Sequence, residues 1–139
     1  MTVYELLTDL TIHYNALIRK SASALNLTSS QAFHLISIPY DGITMSALSD
    51  KLGLDNSTLS RNIQKLERLG LIKRGGELYD RRVQKIFLTN RGNDIVEKIE
   101  VKLGDVNHSM IESLDIDTQE RLLDILERLV WSIDCMRGQ

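Results

Sequence analysis

The stretch that decides the fold runs from residue 55 to residue 89 and reads DNSTLSRNIQKLERLGLIKRGGELYDRRVQKIFLT. It is the basic part of an acidic chain: residues 56–91 hold nine Lys and Arg against three Asp and Glu, a local charge of +6. The other 103 residues hold eight bases and sixteen acids, a charge of −8, and the whole chain carries −2. This division predicts one surface for a polyanion, although a merely solvated basic face has the same charge.

After a candidate cap at Asp55 or Asn56, the residues up to Gly70 have the periodicity of an amphipathic helix. At about 100° per residue, four aliphatic side chains share one side: Leu59, Ile63, Leu66 and Leu69. The opposite side has no carboxylate, with Glu67 near its edge, and carries Ser57, Ser60, Arg61, Gln64 and Arg68. Because Arg suits guanine edges, Gln adenine edges and hydroxyls phosphates, this face fits a helix that reads DNA. An ordinary surface helix has a face of mixed charge.

Two apolar runs follow that helix: Leu71–Ile72 and residues 83–88. A polar segment containing Gly75–Gly76 joins them, which predicts a β-hairpin with a long tip. Arg81 and Arg82 at the tip suit the minor groove of A·T-rich DNA. Asp80 lies close enough in sequence to pair with Arg82 and hold its direction. The alternative is a solvated turn with a local ion pair of little energetic value.

The rest of the chain is predicted to be helical with one short extended piece. Residues 28–31 have the form of a capping box, Ser46 and Thr89 are candidate N-caps, and Gly53 and Gly70 are candidate left-handed helix ends. The predicted elements are a helix over about 3–24, a helix from 28 to Pro39, an extended piece at 43–45, a helix over 46–53, and helices over about 89–113 and 118–136. The fold class is therefore mainly α with a small β-hairpin wing.

The composition is that of one ordinary globular domain. At 139 residues, 42% of them hydrophobic, the chain can bury roughly 70% of its unfolded surface without disulfides. Its single cysteine, Cys135, cannot form an internal disulfide, which fits a reducing compartment. No apolar run approaches the ~20 residues of a transmembrane helix, and the N-terminus lacks the pattern of a signal peptide. We therefore expect a cytoplasmic protein with no membrane partner.

The last predicted helix has more apolar positions than one packing face covers. They are Leu122, Leu123, Ile125, Leu126, Leu129, Val130, Trp131, Ile133 and Met136. A second copy of the chain is the simplest cover for them, so the sequence predicts a homodimer.

Three segments resemble the MarR family of bacterial winged helix-turn-helix regulators. They are LTSSQAFHL (27–35), LSDKLGLDNSTLSRNIQKLERLGLIKR (48–74) and DRRVQKIFLTNRG (80–92), the last with the Asp-x-Arg and Leu-Thr-x-x-Gly patterns of the family. The resemblance implies a winged helix-turn-helix with N- and C-terminal dimerisation helices. It divides one MarR-like domain over 1–139 into a DNA-binding lobe at 28–92 and dimerisation helices at 1–24 and 93–139. It also implies a homodimer, usually a repressor, on a pseudo-palindromic operator in double-stranded DNA.

Helix geometry and resemblance together nominate the residues that contact DNA. They are Ser57, Thr58, Ser60, Arg61, Gln64, Lys65, Arg68, Arg81 and Arg82. The resemblance implies that Arg82 enters the minor groove and that Asp80 orients it. No catalytic residue, metal ligand or cofactor is predicted.

The resemblance also implies a regulatory input. Many members of the family release DNA when a small phenolic or otherwise amphipathic compound enters a crevice beside the DNA-binding lobe. By that analogy, His13, Tyr14 and Phe33 are candidate effector-binding residues, although aromatic side chains at helical spacing are more often core.

Metal and redox sensing are disfavoured. The three histidines, His13, His34 and His108, are scattered singly, which favours structural or surface positions over metal ligation. Cys135 has only Arg137 nearby in sequence to stabilise a thiolate, so we expect a buried or interfacial cysteine rather than a sensor.

Three other functions compete with regulation. An enzyme is disfavoured because the sequence has no glycine-rich phosphate loop, metal-spaced Cys/His cluster or nucleophile elbow. A winged-helix module for protein contacts needs neither an acid-free helix face nor an arginine-rich wing. A nonspecific DNA-binding protein uses the same basic surface, and competition with unrelated DNA separates it from a regulator.

Overall fold

The structure is a computed structural model that describes residues 1–76 and 84–138. Its elements are α1 Val3–Ser23, α2 Ser29–Ile36, β1 Ile43–Thr44, α3 Met45–Leu52, α4 Asn56–Arg68, β2 Ile72–Gly76, β3 Gln84–Leu88, α5 Asn90–Ile111 and α6 Ile116–Arg137. They form two compact units, Met1–Leu103 and Gly104–Gln139. The predicted fold class, mainly helical with a small antiparallel sheet, is confirmed.

Side-chain caps explain where the first two helices begin. Thr2 and Thr28 each form a capping box, in which the hydroxyl accepts from the backbone of the third helical residue and that residue's side chain accepts from the cap backbone. The box at Thr28 confirms the sequence prediction.

The cap of α3 differs from the prediction. Thr44, and not Ser46, accepts a hydrogen bond from the backbone N–H of Ala47, at 3.1 Å. Thr44 pairs with Lys85 of β3, and this pairing keeps it extended, which is the backbone geometry of an N-cap. The strand pairing lies far away in sequence, so local spacing alone selected the wrong hydroxyl.

The helix ends follow the predicted glycines. Gly53 closes α3 with φ 67°, and Gly70 follows α4 with φ 73°, both in the left-handed region that glycine adopts freely. α6 begins two residues before the predicted start because Asp115 accepts from the backbone N–H of Thr118 at 2.7 Å.

The sheet has the order β1-β3-β2, and both pairings are antiparallel. Gly75 and Gly76 lie inside β2, opposite Lys85 and Gln84, so their predicted place in the polar connection was wrong. At Gly75 an added Cβ atom would approach the Phe87 ring to 3.3 Å. The missing side chain therefore leaves room for that ring, and the residues connecting the strands, 77–83, lie outside the described ranges.

The core of the first unit is aliphatic and lies under α4. Its fully buried large side chains include Leu35, Leu48, Leu59, Ile63, Leu66, Ile86 and Ile99. α1 contributes buried residues only near its C-terminal end, at Ile18, Ser21 and Ala22. Its earlier apolar side chains, such as Val3 and Ile12, are exposed.

The second unit has little core of its own. No residue of α6 is buried, and Leu123 and Val130 are 60% and 67% exposed. The sequence predicts that the last helix has more apolar surface than a single chain can cover, and the exposed side chains of α6 agree with that prediction. Cys135 is also exposed, which rules out burial within the chain, and the predicted interfacial position stays a prediction.

Candidate nucleic-acid interface

Asp55 fixes the beginning of α4. Its carboxylate accepts hydrogen bonds from the backbone N–H of Thr58 at 2.7 Å and from the hydroxyl of Ser57 at 2.8 Å. The bond from the Thr58 backbone and then the bond from Ser57 lower the pKa of Asp55 to about 2, with a smaller effect from the Arg61 guanidinium. The cap therefore stays charged at neutral pH and satisfies one of the free backbone N–H groups in the first turn of the helix.

The inward face of α4 holds the helix by packing. Leu59, Ile63 and Leu66 are fully buried, as the periodicity predicts. Leu69 was predicted to join them but is 42% exposed. The α-helix ends at Arg68, and Leu69 is its C-cap.

The outward face of α4 carries the residues predicted to contact DNA. Ser57, Arg61, Gln64, Lys65 and Arg68 are exposed, and Thr58 and Ser60 are half-buried. The structure thus brings all seven helix candidates onto one accessible element. Arg61 lies 3.4 Å from the Thr58 hydroxyl through Nη2, a long contact that leaves most guanidinium donors available.

Ser57 has a second task that the sequence did not indicate. Its hydroxyl hydrogen is donated to Asp55, and a phosphate oxygen also needs a donor. Ser57 can therefore donate to phosphate only by giving up its bond to the cap.

Glu67, the acid nearest the outward face, is neutralised within the fold. Its Oε1 accepts from Nε of Arg74 on β2, at 2.8 Å. Both side chains are about one-third exposed, so the pair adds little to stability. It does cancel the negative charge beside the basic face and connects the helix to the sheet.

The C-terminal end of α4 is attached to the start of α5. The Thr89 hydroxyl donates to the carbonyl of Gly70 at 2.6 Å and accepts from the backbone N–H of Gly92 at 3.0 Å. Arg91 donates to the carbonyl of Leu69 at 3.1 Å. At Gly92 an added Cβ atom would lie 2.0 Å from the Leu71 carbonyl oxygen. Only glycine at this position of the Leu-Thr-x-x-Gly segment therefore allows the two backbone segments to pack this closely.

The wing residues divide between described and undescribed parts. Lys73 and Arg74 lie on β2, and Lys85 lies on β3. Asp80, Arg81 and Arg82 lie outside the described residues, and their roles remain predictions.

One of the three histidines predicted to be structural or surface residues is buried beneath α4. His34 is 2% exposed, and its ring contacts the Ser30 carbonyl through Nδ1 at 2.6 Å and the Asn62 amide through Nε2 at 3.1 Å. Asn62 is 28 residues away in sequence, which is why local spacing gave no signal. The partners identify His34 as a structural histidine, whereas His13 and His108 are exposed.

A cavity of about 390 Å³ opens beside His34, within the first unit. Its lining consists of Asn15, Ser29, Ser30, Phe33, His34, Leu52 and Leu54. The Oδ1 atom of Asn15 is buried without a hydrogen-bond partner. Of the predicted effector residues, Phe33 lines this cavity, Tyr14 is half-buried against the core, and His13 is exposed.

The described ranges contain no group of three or more His, Cys, Asp or Glu residues able to hold a metal ion. None of the helices in those ranges is long and apolar enough to cross a membrane.

Two sequence comparisons give matches to this chain. The sequence model that represents the MarR family matches residues 25–83 of this chain. The uncharacterised HTH-type transcriptional regulator YdgJ of Bacillus subtilis (strain 168) is 24% identical over 103 residues, which are 73% of this chain and 63% of that protein. This chain thus spans less than two thirds of the length of that relative.

Solved structures show the same fold over nearly the full chain. The transcriptional regulator SlyA matches with a TM-score of 0.84 at 19% identity, over 99% of this chain and 98% of that one. The MepR–DNA complex of S. aureus matches with 0.76 at 21% identity, over 95% and 98%. Apo MarR from E. coli matches with 0.75 at 24% identity, over 93% and 97%.

Proposed function

We propose that this chain, which belongs to the MarR family, is a sequence-specific DNA-binding transcriptional regulator that acts as a homodimer in the cytoplasm. The observation that carries the proposal is the outward face of α4. There Arg61, Gln64 and Arg68 are exposed, and the nearest acid, Glu67, is paired with Arg74.

The proposed DNA contacts are of different kinds, according to the chemistry of each side chain. Arg61 and Gln64 offer paired donors and acceptors to guanine and adenine edges. Lys65, Arg68 and the N-terminal hydroxyls of α4 suit phosphates, which set the position of the protein on the duplex. Arg82, oriented by Asp80, remains the proposed minor-groove contact, with Arg81 beside it.

The proposed homodimer follows from uncovered apolar surface. The first half of α1 and most of α6 expose large apolar side chains, among them Leu6, Leu10, Leu123 and Val130. Covering them with a second copy removes that surface from water. Two recognition helices related by a two-fold axis then read half-sites about 10 base pairs apart on one face of the DNA.

We further propose that the regulator is a repressor released by a small effector. The cavity beside His34 suits a small amphipathic or phenolic compound, because Phe33, Leu52 and Leu54 supply apolar surface and the Asn15 Oδ1 lacks a donor. A hydroxyl on the effector can supply that donor.

The first experiment is a fluorescence-anisotropy titration of the protein against duplex DNA from upstream of its own gene, with unrelated duplex as competitor. A regulator keeps binding through a large excess of competitor. Binding that any duplex removes equally indicates a nonspecific DNA-binding protein. Absence of binding at low salt indicates a module for protein contacts.

A further inference from the structure

The buried imidazole of His34 connects helix α2 to the proposed recognition helix α4. Its Nδ1 lies 2.6 Å from the Ser30 carbonyl oxygen. A carbonyl oxygen can only accept, so Nδ1 carries the hydrogen. The other nitrogen, Nε2, is then an acceptor in the neutral ring and receives the Asn62 amide hydrogen at 3.1 Å.

Asn62 stands between the two faces of α4. It is half-buried, with exposed Arg61 before it and fully buried Ile63 after it. Apolar packing at Leu59 and Ile63 has no strong directional preference, whereas a hydrogen bond at the flank fixes the rotation of the helix about its axis. A base contact from Arg61 needs that rotation held within roughly 10–20°.

We propose that His34 is a positioning residue for DNA reading: its neutral, Nδ1-protonated imidazole holds Asn62 and so sets the rotation of α4. The proposal rests on the proposed DNA-binding function. His34 itself makes no contact with DNA and acts through Asn62.

The ring of His34 lies between two cavities. His34 lines the 390 Å³ cavity and a second cavity of about 230 Å³, whose other lining residues are Thr28, Ser30, Gln31, Asn62, Lys65 and Leu66. Of the residues that line the two cavities, Lys65 on α4 is the one Lys, Arg, Asp or Glu residue; α1 presents Asn15 and α3 presents Leu52. None of the residues lining either cavity is a carboxylate that would favour a charged imidazole.

A double-mutant cycle tests the coupling. His34→Leu, Asn62→Ala and the double variant are titrated against operator and random duplex at one salt concentration. Each single variant should lose about tenfold in operator affinity, with less than about twofold change on random DNA. The double variant should lose no more than the worse single variant. Additive losses, or equal losses on both DNAs, overturn the proposal.

The Asn62→Asp variant tests the proposal by a pH dependence of operator affinity that loss of the fold would not produce. Its carboxylate only accepts hydrogen bonds, so contact with Nε2 needs a protonated imidazole. Operator affinity of this variant should rise at least about threefold between about pH 8 and about pH 6. The His34→Leu/Asn62→Asp variant, with the same carboxylate and no imidazole, is the matched control. An equal rise in both variants overturns the proposal.

The imidazole ¹⁵N shifts of the wild-type protein at neutral pH provide the third measurement. They should report hydrogen on Nδ1; hydrogen on Nε2 alone contradicts the geometry on which the proposal stands. A wild-type protein without specific DNA binding overturns both proposals. Specific binding by the wild type with unchanged operator preference in His34→Leu overturns only this one.

Discussion

Helices α4 and α6 begin in the same way and then meet different surroundings. Each follows an Asp cap that accepts from a Thr backbone N–H at 2.7 Å, and in each an Arg three residues later lies 3.4 Å from that Thr hydroxyl. The two sets are Asp55, Thr58 and Arg61, and Asp115, Thr118 and Arg121. Yet α4 buries three aliphatic side chains completely, and α6 buries none.

The difference shows that local sequence starts a helix and that its surroundings decide its use. α4 places its apolar side against the core of its own chain, which frees its polar side for a ligand. α6 leaves its apolar side uncovered within the chain, and the proposed second copy would pack there. Five measurements can break or sharpen this contrast.

The largest effect is expected in the core under α4. Leu59→Ala should lower the free energy of unfolding by about 2–5 kcal/mol, because it removes a fully buried side chain. The decrease in the free energy of unfolding, measured by urea unfolding, should be the same at low and high protein concentration. For Val130→Ala on α6 the cost should depend on protein concentration, since the lost contact is with the proposed second copy. A concentration-independent cost at Val130 breaks the contrast.

Dimerisation should respond next. Val130 is 67% exposed, and Val130→Asp places a charge where a second copy is proposed to pack. We expect the dimer dissociation constant to rise roughly 30-fold, about 2 kcal/mol, in sedimentation equilibrium. The control is Arg128→Asp, on the opposite side of α6. It changes the net charge by more than Val130→Asp does. Equal dissociation in both variants contradicts a dimer formed by the apolar side.

The matched arginines separate DNA reading from general charge. Arg61→Ala should cost about 1–3 kcal/mol of operator binding if Arg61 contacts a base through two bonds. Arg121→Ala removes the same side chain from the same helical position of α6 and should leave operator affinity unchanged. Equal losses on operator and random duplex reject a base-reading role for Arg61.

The smallest effect concerns the two caps. The pKa of Asp55 is about 2, against an ordinary value of 3.8, and Ser57 supplies part of that shift. Asp117 occupies the corresponding position beside Asp115 and has no hydrogen to donate when ionised. Ser57→Ala should therefore raise the pKa of Asp55, measured by NMR titration of its carboxyl group.

The sign of the linked stability change follows from the lowered pKa. The unfolded chain binds more protons at Asp55 than the folded chain between pH 3.8 and about pH 2. The Asp55 contribution is therefore complete above that window and is lost as pH falls through it. Asp55→Asn keeps an acceptor for the helix but has no such titration, so its stability should fall less over the same range. An identical fall in both proteins contradicts the role of the charge.

Features with local causes were predictable from the sequence. The Asp55 cap, the glycines at 53 and 70 and the apolar face of α4 depend on neighbours within a few residues. Features with distant causes were missed. Thr44 caps α3 because β1 pairs with β3, and Asn62 meets a histidine 28 residues away. No local pattern contains that information.

The attachment of α4 at both ends has a consequence for how such a protein can evolve. Asp55 holds the start of the helix, and Thr89 and Arg91 hold the backbone carbonyls at its end. The outward side chains at 61, 64 and 68 make none of those hydrogen bonds. Substitutions there can alter the recognised DNA sequence while the hydrogen bonds at the two ends of the helix are kept. New binding preferences can therefore arise without changes elsewhere in the fold.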